Sequence, residues 1–493
     1  MKKPGLFLSL LPVALLVGII ILGSSLFGGD LTSGPAQTAL VFAAAVGSLI
    51  AMFYLKVPWD RIEHCMTKNL KSAGAAIFIL LMIGALTASW VQSGVVPSLV
   101  YYGLSLIHPS IFLIVIFVFT ALISLLIGSS WTTIGTIGVA MMSAGSILGL
   151  HPGWLAGCII SGAYFGDKIS PLSDTTNLAA SISGVKLYDH VKYMLITNVP
   201  SVLICGIVFA IVGASAAKNV NLDVQTQMAD IASTYNVSPW LLLIPAFTIF
   251  LMVKKISPIL TLLLSALFAS LIACVVQPHI ISQISPYGEM SWQTFFYAPI
   301  KLMSSHVDIS APNEMLTKLA STNGIAGMLN TVWLIISVTI FGGMLEAGGF
   351  IQTITEKLER LMRNTVSLVT TTIATCLFCN VALSEQYMAI IVPGNMLRKL
   401  YEDKGYEGRL LSRSIEDSAT VTSVLIPWNT CGAMQAGVLG VPTLVYAPYC
   451  LFNYISPLFS IFVAAIGYKV FRWGKELDKS NNALYENRKR QSS

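Results

Sequence analysis

Residues 161–181 read Ser161-Gly162-Ala163-Tyr164-Phe165-Gly166-Asp167-Lys168-Ile169-Ser170-Pro171-Leu172-Ser173-Asp174-Thr175-Thr176-Asn177-Leu178-Ala179-Ala180-Ser181. An apolar stretch is interrupted here by a proline, two acids, a lysine and a run of hydroxyl side chains. Pro171 removes a backbone donor and disfavours helix at Ser170. Unpaired backbone is costly in hydrocarbon, so a broken helix persists only where protein or a water-lined cavity satisfies the freed groups. The released carbonyls, with Ser170, Ser173, Thr175, Thr176 and Asn177, form a dense set of oxygens, and Asp167 and Asp174 add negative charge on either side of the break. Oxygen donors plus one or two carboxylates suit a hard cation such as Na+, whereas soft thiolate or imidazole ligands are missing.

The pattern recurs at a fixed shift of 255 positions (384 − 129 = 255). Ser93-Gly94 falls on Gly348-Gly349, Ser129 on Ser384, Gly153 on Gly408, and Asp174-Thr175 on Asn429-Thr430. A register kept for roughly eighty residues without a net gap indicates a duplicated unit. The partner of the opening stretch is 416–434, where Pro427 is the breaker and Asn429-Thr430 follow it. The acids are not duplicated: Asp417 falls on Gly162, and Glu385 replaces Ser130. Symmetric backbone with asymmetric carboxylates is expected where one copy keeps the charge site. In a membrane chain, paired interrupted segments are the best sequence pointer to a transport site.

Composition sets the environment. The chain has 493 residues, 55% hydrophobic and 11% charged, against about 25% charged in soluble domains, so it is a polytopic membrane protein. Leu6–Leu26 is too long for a signal peptide and lacks a convincing cleavage site, so it is read as a first span. Of eight cysteines, Cys376 and Cys379 form a C-x-x-C inside an apolar run, where buried small apolar residues are the expected role. No redox or zinc role follows, and no cofactor is expected beyond Na+ as the transported ion. The net charge of +6 comes from residues between spans and in the tail and is no nucleic-acid signal.

A crossing helix needs about 20 apolar residues. Candidates are 6–26, 36–55, 73–90, 193–213, 240–253, 258–277, 328–345 and 443–468. The stretches 155–183 and 410–440 read as broken helices. The stretches 111–149 and 365–400 read as helix–tip–helix pairs, re-entrant hairpins or two short spans, with tips Gly128-Ser129-Ser130-Trp131 and Leu383-Ser384-Glu385-Gln386; either way the crossing count changes by an even number. Basic residues collect on the cytoplasmic side. With Lys2 and Lys3 inside, the clusters Lys56, Arg61, Lys68 and Lys71, then Lys186 and Lys192, then Lys254-Lys255, and the tail through Arg488-Lys489-Arg490 all fall inside; the loops around Asp30 and around Lys218, Asp223 and Asp230 fall outside.

The expected fold class is therefore an all-α polytopic membrane protein built from two repeats, 1–213 and 240–468, joined by an extracytoplasmic linker, 214–239, and followed by a basic cytoplasmic tail, 469–493. Each repeat has two spans, an amphipathic stretch (56–71 or 288–305), a span, a hairpin, a broken helix and a final span. An odd number of crossings per unit gives the copies opposite topology, bringing the hairpin tips together near the midplane.

The site candidates each have a plainer reading. Asp167 can be a structural partner of Lys168 or a distant Arg. Asp174 can be a helix N-cap. Arg413 and Asp417 have the i,i+4 spacing of a surface salt bridge, which would also account for Glu416. Glu385 can simply face water, and Trp90, Trp131, Trp154 and Trp428 suit interface or packing roles. His64, His108, His151, His190, His279 and His306 lie in or near loops.

The string 165–176, Phe165-Gly166-Asp167-Lys168-Ile169-Ser170-Pro171-Leu172-Ser173-Asp174-Thr175-Thr176, resembles the signature of NhaC-type sodium/proton antiporters. Glu416-Asp417-Ser418-Ala419-Thr420 with Ile426-Pro427-Trp428-Asn429-Thr430 is similar to that family's second signature, and Gly128-Ser129-Ser130-Trp131-Thr132-Thr133 agrees. The resemblance covers most of 70–460. It implies an ion-transporter fold of two inverted repeats with crossed hairpins, in which a transport domain slides elevator-like against a scaffold. Members of the family include plain Na+/H+ exchangers, malate/lactate exchangers and amino-acid carriers, so the substrate stays open; so does the role of the insert 278–327.

An acid within a span costs roughly 2.5–3.5 kcal/mol on insertion scales and by default marks an ion or proton path. The expected function is a secondary active transporter, not an enzyme, exchanging Na+ for H+ across the cytoplasmic membrane with both termini cytoplasmic. Na+ and H+ are expected at Asp167, Asp174, Ser170, Ser173, Thr175, Thr176, Asn177, Asp417, Asn429 and Thr430. The hairpin tips add Ser129, Ser130, Thr132, Thr133, Ser384 and Glu385. The rival is a Na+- or H+-coupled carrier of an organic acid or amino acid, for which Lys168 and the hairpin tips could hold a carboxylate. Other expected partners are the lipid bilayer and a second copy in a homodimer.

Overall fold

Long runs of Leu, Ile, Val, Phe and Ala with no water to pair their backbone leave the helix as the open-chain solution. A computed structural model describes residues 3–26, 34–106, 108–216, 224–288, 290–312 and 314–472. Among the described residues there are helices and turns, two isolated bridges (Val307–Thr322 and Tyr406–Arg472) and no strand. Eight helices are long and apolar enough to cross a membrane, or up to ten spans if each of two bent helix pairs counts as one. The loop around Asp30, Lys2, Lys218, Asp223 and the tail through Arg488-Lys489-Arg490 lie outside the described residues.

Several expected crossings appear as single helices: Leu6–Leu26, Leu187–Ala216, Pro258–Val276 and Leu329–Ala347. Three differ. Stretches 56–71 and 73–90 merge into one 34-residue helix, Trp59–Gln92, because nothing between them breaks a helix. Its amphipathic first half is half of a long rod. At the 255 shift, its counterpart is the interrupted series Glu314–Ala320, Gly324–Met328 and Leu329–Ala347. The stretch 288–305 is therefore not the equivalent of 56–71. It forms a separate helix, Trp292–Ser304, packed on Trp59–Gln92 and Pro258–Val276. The final crossing, 443–468, bends by 53° between Thr443–Tyr449 and Leu451–Ala465.

The first hairpin descends through Phe112–Ile127 and turns at Gly128 in the left-handed region (φ 73°). It returns through Ser130–Thr133, a π turn Ile134–Gly138 and Val139–Ile147. The second consists of Thr365–Ala382 and Gln386–Asp403. Its left-handed residue is Ser384 (φ 56°), a residue type with a Cβ where the first tip has glycine. Each hairpin precedes a broken helix. The first has arms Pro152–Ile169 and Asp174–Ile182; the second runs from Gly408–Ile415 through a π turn, Glu416–Thr420, to a break before Thr430–Leu439. Phe112–Ile127 lies directly on Pro152–Ile169. A Cβ at Gly166 would come within 2.7 Å of the Leu125 backbone nitrogen. At this contact the Ser124 hydroxyl donates to the Ala163 carbonyl at 2.6 Å.

The two broken helices are tied by a buried ion pair. Lys168 Nζ donates to Asp417 Oδ1 and to Ser456 Oγ (2.7 Å for the latter), while the Thr197 hydroxyl donates to the same Asp417 oxygen at 3.1 Å. Arg413 Nε lies 3.9 Å from the other Asp417 oxygen, and its guanidinium stacks 4.5 Å over the Tyr193 ring. Lys168, Asp417 and Arg413 are all fully buried. Two plainer sequence readings are thereby corrected: Arg413–Asp417 is an interior contact rather than a surface bridge, and Lys168 pairs with Asp417 rather than Asp167. Breaking a buried pair by removing one partner costs about 3–5 kcal/mol, because the other charge is left uncompensated. Asp417→Asn is therefore expected to destabilise the purified protein by about that amount, read as a large drop in thermal-unfolding midpoint in detergent; a midpoint equal to wild type would show that the pair does not hold the helices together.

Candidate ion-binding site

The first break is built by short local bonds. Ser170 ends the long arm in extended backbone; its hydroxyl donates to the Leu125 carbonyl at 2.9 Å and accepts from the Leu172 amide. Ser173 is the N-cap of the short arm, accepting from the Thr176 amide. Capping is thus done by Ser173, and Asp174 occupies the first helical turn, exposed. The Thr176 hydroxyl reaches back over the break to the Lys168 carbonyl at 3.0 Å.

Both hairpin tips and both breaks border a cavity of about 640 Å³. Its lining includes Ser129, Ser130 and Thr132 of the first tip, Glu385 of the second, Thr430 beyond the second break, and Asp167, Ser173, Asp174, Thr175 and Asn177. Trp59–Gln92 contributes the wall Ser72–Ile79, and the turn after Val253 brings Lys255 and Ser257. Asp167 is 6% exposed. Its Oδ2 accepts from both the amide and the hydroxyl of Ser130, at 3.0 and 2.7 Å. Charge-assisted bonds of this kind are about twice as strong as neutral ones, so the carboxylate is held against the tip.

Other expected site residues are engaged elsewhere. Ser170 and Thr176 satisfy the break itself. The Thr133 hydroxyl donates to the Ser129 carbonyl, and the Ser384 hydroxyl donates to the Val381 carbonyl. Asn429 caps Thr430–Leu439 by accepting from the Cys431 amide and donates to the Asn380 carbonyl. Asp417 is consumed by Lys168. Asn177 reaches the cavity, but its amide donates to the Pro171 and Ser173 carbonyls.

Glu385 is half-buried, and its Oε2 accepts from the Met388 amide at 2.8 Å, capping the returning arm. Ser129 does the same in the first tip, accepting from the Thr132 amide. The second tip carries one extra residue, so Glu385 stands in for Ser129 and not for Ser130. Gln386 takes the following position and donates to the Thr420 carbonyl at 3.1 Å.

The sequence reading missed Glu416 as a site residue. It is fully buried, and its Oε1 accepts from the Thr175 hydroxyl at 3.1 Å. Two adjacent acids on a helix point about 100° apart, so Glu416 and Asp417 were bound to meet different neighbours; that was the available signal. His190, expected near a loop, is fully buried and bonded to Ser412 Oγ at 2.9 Å. Cys376 and Cys379 are buried free thiols, and Trp428 donates to the Val381 carbonyl.

The buried charges around the breaks do not cancel. Counted as ionised, Asp167, Glu416 and Asp417 are three buried carboxylates against the two buried cations Lys168 and Arg413, a formal excess of one negative charge. No group of three or more His, Cys, Asp or Glu converges among the described residues, so a cation here meets carboxylate, hydroxyl and carbonyl oxygens. Such a donor set suits Na+.

Known proteins are similar in sequence over most of the chain. The sequence profile of the Na+/H+ antiporter family matches residues 162–468. The Na(+)/H(+) antiporter NhaC of Alkalihalophilus pseudofirmus is 34% identical over 447 residues, covering 91% of this chain and 92% of its own. The arginine/ornithine antiporter ArcD of Halobacterium salinarum is 31% identical, covering 95% and 94%. The malate-2H(+)/Na(+)-lactate antiporter of Bacillus subtilis is 32% identical, covering 86% and 87%. With its profile match spanning both broken helices, this multi-pass membrane protein belongs to the Na+/H+ antiporter family.

Proposed function

We propose that the protein exchanges Na+ for H+ by alternating access, with Asp167 as the carboxylate for which the two ions compete. The observation that carries this reading is the uncancelled negative charge beside a cavity where Ser130 presents Asp167 to the hydroxyls of Ser173 and Thr175. A proton and a sodium ion each neutralise one charge, and a carboxylate cannot hold both. In this reading the halves around the two breaks are related by inverted topology, the cavity opens alternately to either side, and both termini are cytoplasmic. Asp174 and Glu385, at the cavity lining, attract cations; Ser173, Thr175 and Thr430 supply oxygen ligands.

A second reading is favoured by one observation. A cavity of about 640 Å³ lies within the 300–1,000 Å³ range of small-molecule pockets and far exceeds what a bare Na+ fills. Asp174 and Glu385 outnumber Lys255 at its lining, and Lys168, the cation that could have met a substrate carboxylate, is held by Asp417. That charge balance suits an amine-bearing solute better than malate or lactate.

Reconstituted proteoliposomes separate the two. An imposed Na+ gradient is expected to drive saturable proton movement with no organic solute present; a strict requirement for arginine or another amino acid would replace exchange by the second reading. Asp167→Asn keeps the side-chain shape and one acceptor for Ser130 but removes the charge. It is expected to abolish Na+-driven proton flux while leaving the size-exclusion profile unchanged, and wild-type flux in this variant would remove Asp167 from the exchange.

A further inference from the structure

Behind the cavity lies a second carboxylate, counted in that charge but given no role in the exchange reading. Ser173 Oγ and Thr175 Oγ1 are 3.1 Å apart, and Thr175 Oγ1 is 3.1 Å from Glu416 Oε1. A line of oxygens thus leads from the cavity lining to Glu416, which does not border the cavity. Glu416 opens the π turn Glu416–Thr420, and Thr420 closes it. Glu416 Oε2 and Thr420 Oγ1 are both buried, and neither has a hydrogen-bond partner beyond the other. A buried charged oxygen without a partner is costly. The charges facing Glu416 are Lys168 and Asp167 from the first broken helix. Asp417 and Arg413 lie on its own segment, and the Cys376 thiol faces it from the second hairpin. Since Lys168 bonds Asp417, neither cation of the set makes a hydrogen bond to Glu416. A water could donate to Oε2, but only a proton or a metal cation would also remove the excess charge, and the two compete here as they do at Asp167. π turns inside α-helices recur at functional sites because they disturb the regular backbone ladder.

We propose that Glu416 and Thr420 form an inner station for a dehydrated monovalent cation, entered from the Asp167 cavity past the Thr175 hydroxyl. The proposal rests on the Na+ reading of the cavity and adds to it a second position for the same ion. Asp167 receives the cation from the cavity, and Glu416 holds it one step deeper, where water is excluded. One net charge shared between the two carboxylates lets the ion pass inward without either being left as an uncompensated pair.

The test is Na+-dependent thermal stabilisation of the full-length protein in detergent, with choline keeping ionic strength constant. Wild type is expected to be stabilised by Na+ and Li+. Glu416→Gln is expected to raise the Na+ concentration for half-maximal stabilisation by about tenfold or more, the effect of losing one charged contact. Glu416→Asp should recover part of that loss. Asp167→Asn should keep a weakened Na+ response, and the double variant should have none. A Glu416→Gln midpoint equal to wild type, or no Na+ response at all in Asp167→Asn alone, overturns the inner station while leaving Na+ binding at Asp167 standing. A wild-type protein indifferent to Na+ overturns both. If Glu416→Gln does not fold, Thr420→Val, which keeps shape and removes the hydroxyl, decides: an unchanged Na+ midpoint refutes the proposal and a raised one supports it.

Discussion

A lysine and an aspartate in full burial, 249 positions apart in the chain, set the geometry on which the rest of the interior depends. Each charge alone would carry a desolvation penalty of several kcal/mol; together they offset one another, and Thr197 and Ser456 add hydrogen bonds to the pair. The pair fixes the end of Pro152–Ile169 against the π turn at Glu416–Thr420. Asp167, the neighbour of Lys168, is then directed to the first hairpin tip, and Glu416, the neighbour of Asp417, is directed to Thr175. One ion pair thus sets the positions of two further carboxylates that have no lysine of their own.

The two hairpins hold their broken helices by similar backbone logic and different chemistry. In the first, Gly128 has no Cβ, and one placed there would come within 2.6 Å of Leu172 and 2.9 Å of the Ser173 amide. The tip therefore sits directly on the break. In the second, the Ser384 carbonyl accepts from the Thr430 amide at 2.9 Å, and Asn429 and Trp428 add bonds to Asn380 and Val381. The second break is stitched by amides and an indole; the first is closed by steric fit and presents its carboxylate.

Much of this was legible in the chain because it follows from local rules. Pro171 and Pro427 announce the breaks, and the hydroxyl-rich tips announce the hairpins, since both are departures from an apolar helix that hydrocarbon penalises. What was not legible depends on packing between distant segments. No spacing rule shows that Lys168 reaches Asp417 rather than its neighbour Asp167. The Arg413–Asp417 interval looks like a surface bridge until both side chains are seen to be buried. The extra residue at the second tip escaped a gapless shift: the left-handed glycines Gly94 and Gly349 keep 255 before it, but Gly149 and Gly405, and the N-caps Ser173 and Asn429, stand 256 apart after it, and it decides that Glu385 caps a helix as Ser129 does. Seven of the oxygen-bearing candidates proved to be partners of nearby backbone or of Lys168, because a break must first satisfy its own freed groups.

That last requirement bears on how a cation is selected. Ser170, Thr176, Asn177 and Asn429 spend their polar atoms on holding the breaks. The oxygens left over are few: Asp167, Ser173, Thr175 and Thr430 at the cavity, with Glu416 and Thr420 behind them. A loop already rigid loses little conformational entropy when an ion arrives, so affinity is governed by the uncancelled charge and by how much hydration the remaining oxygens replace. A doubly charged ion would overcompensate a surplus of one, whereas Na+ and H+ match it and exclude each other. Under the exchange proposed above, competition for one charge, in a cavity reached from one side at a time, would couple the two fluxes without a signal between separate sites.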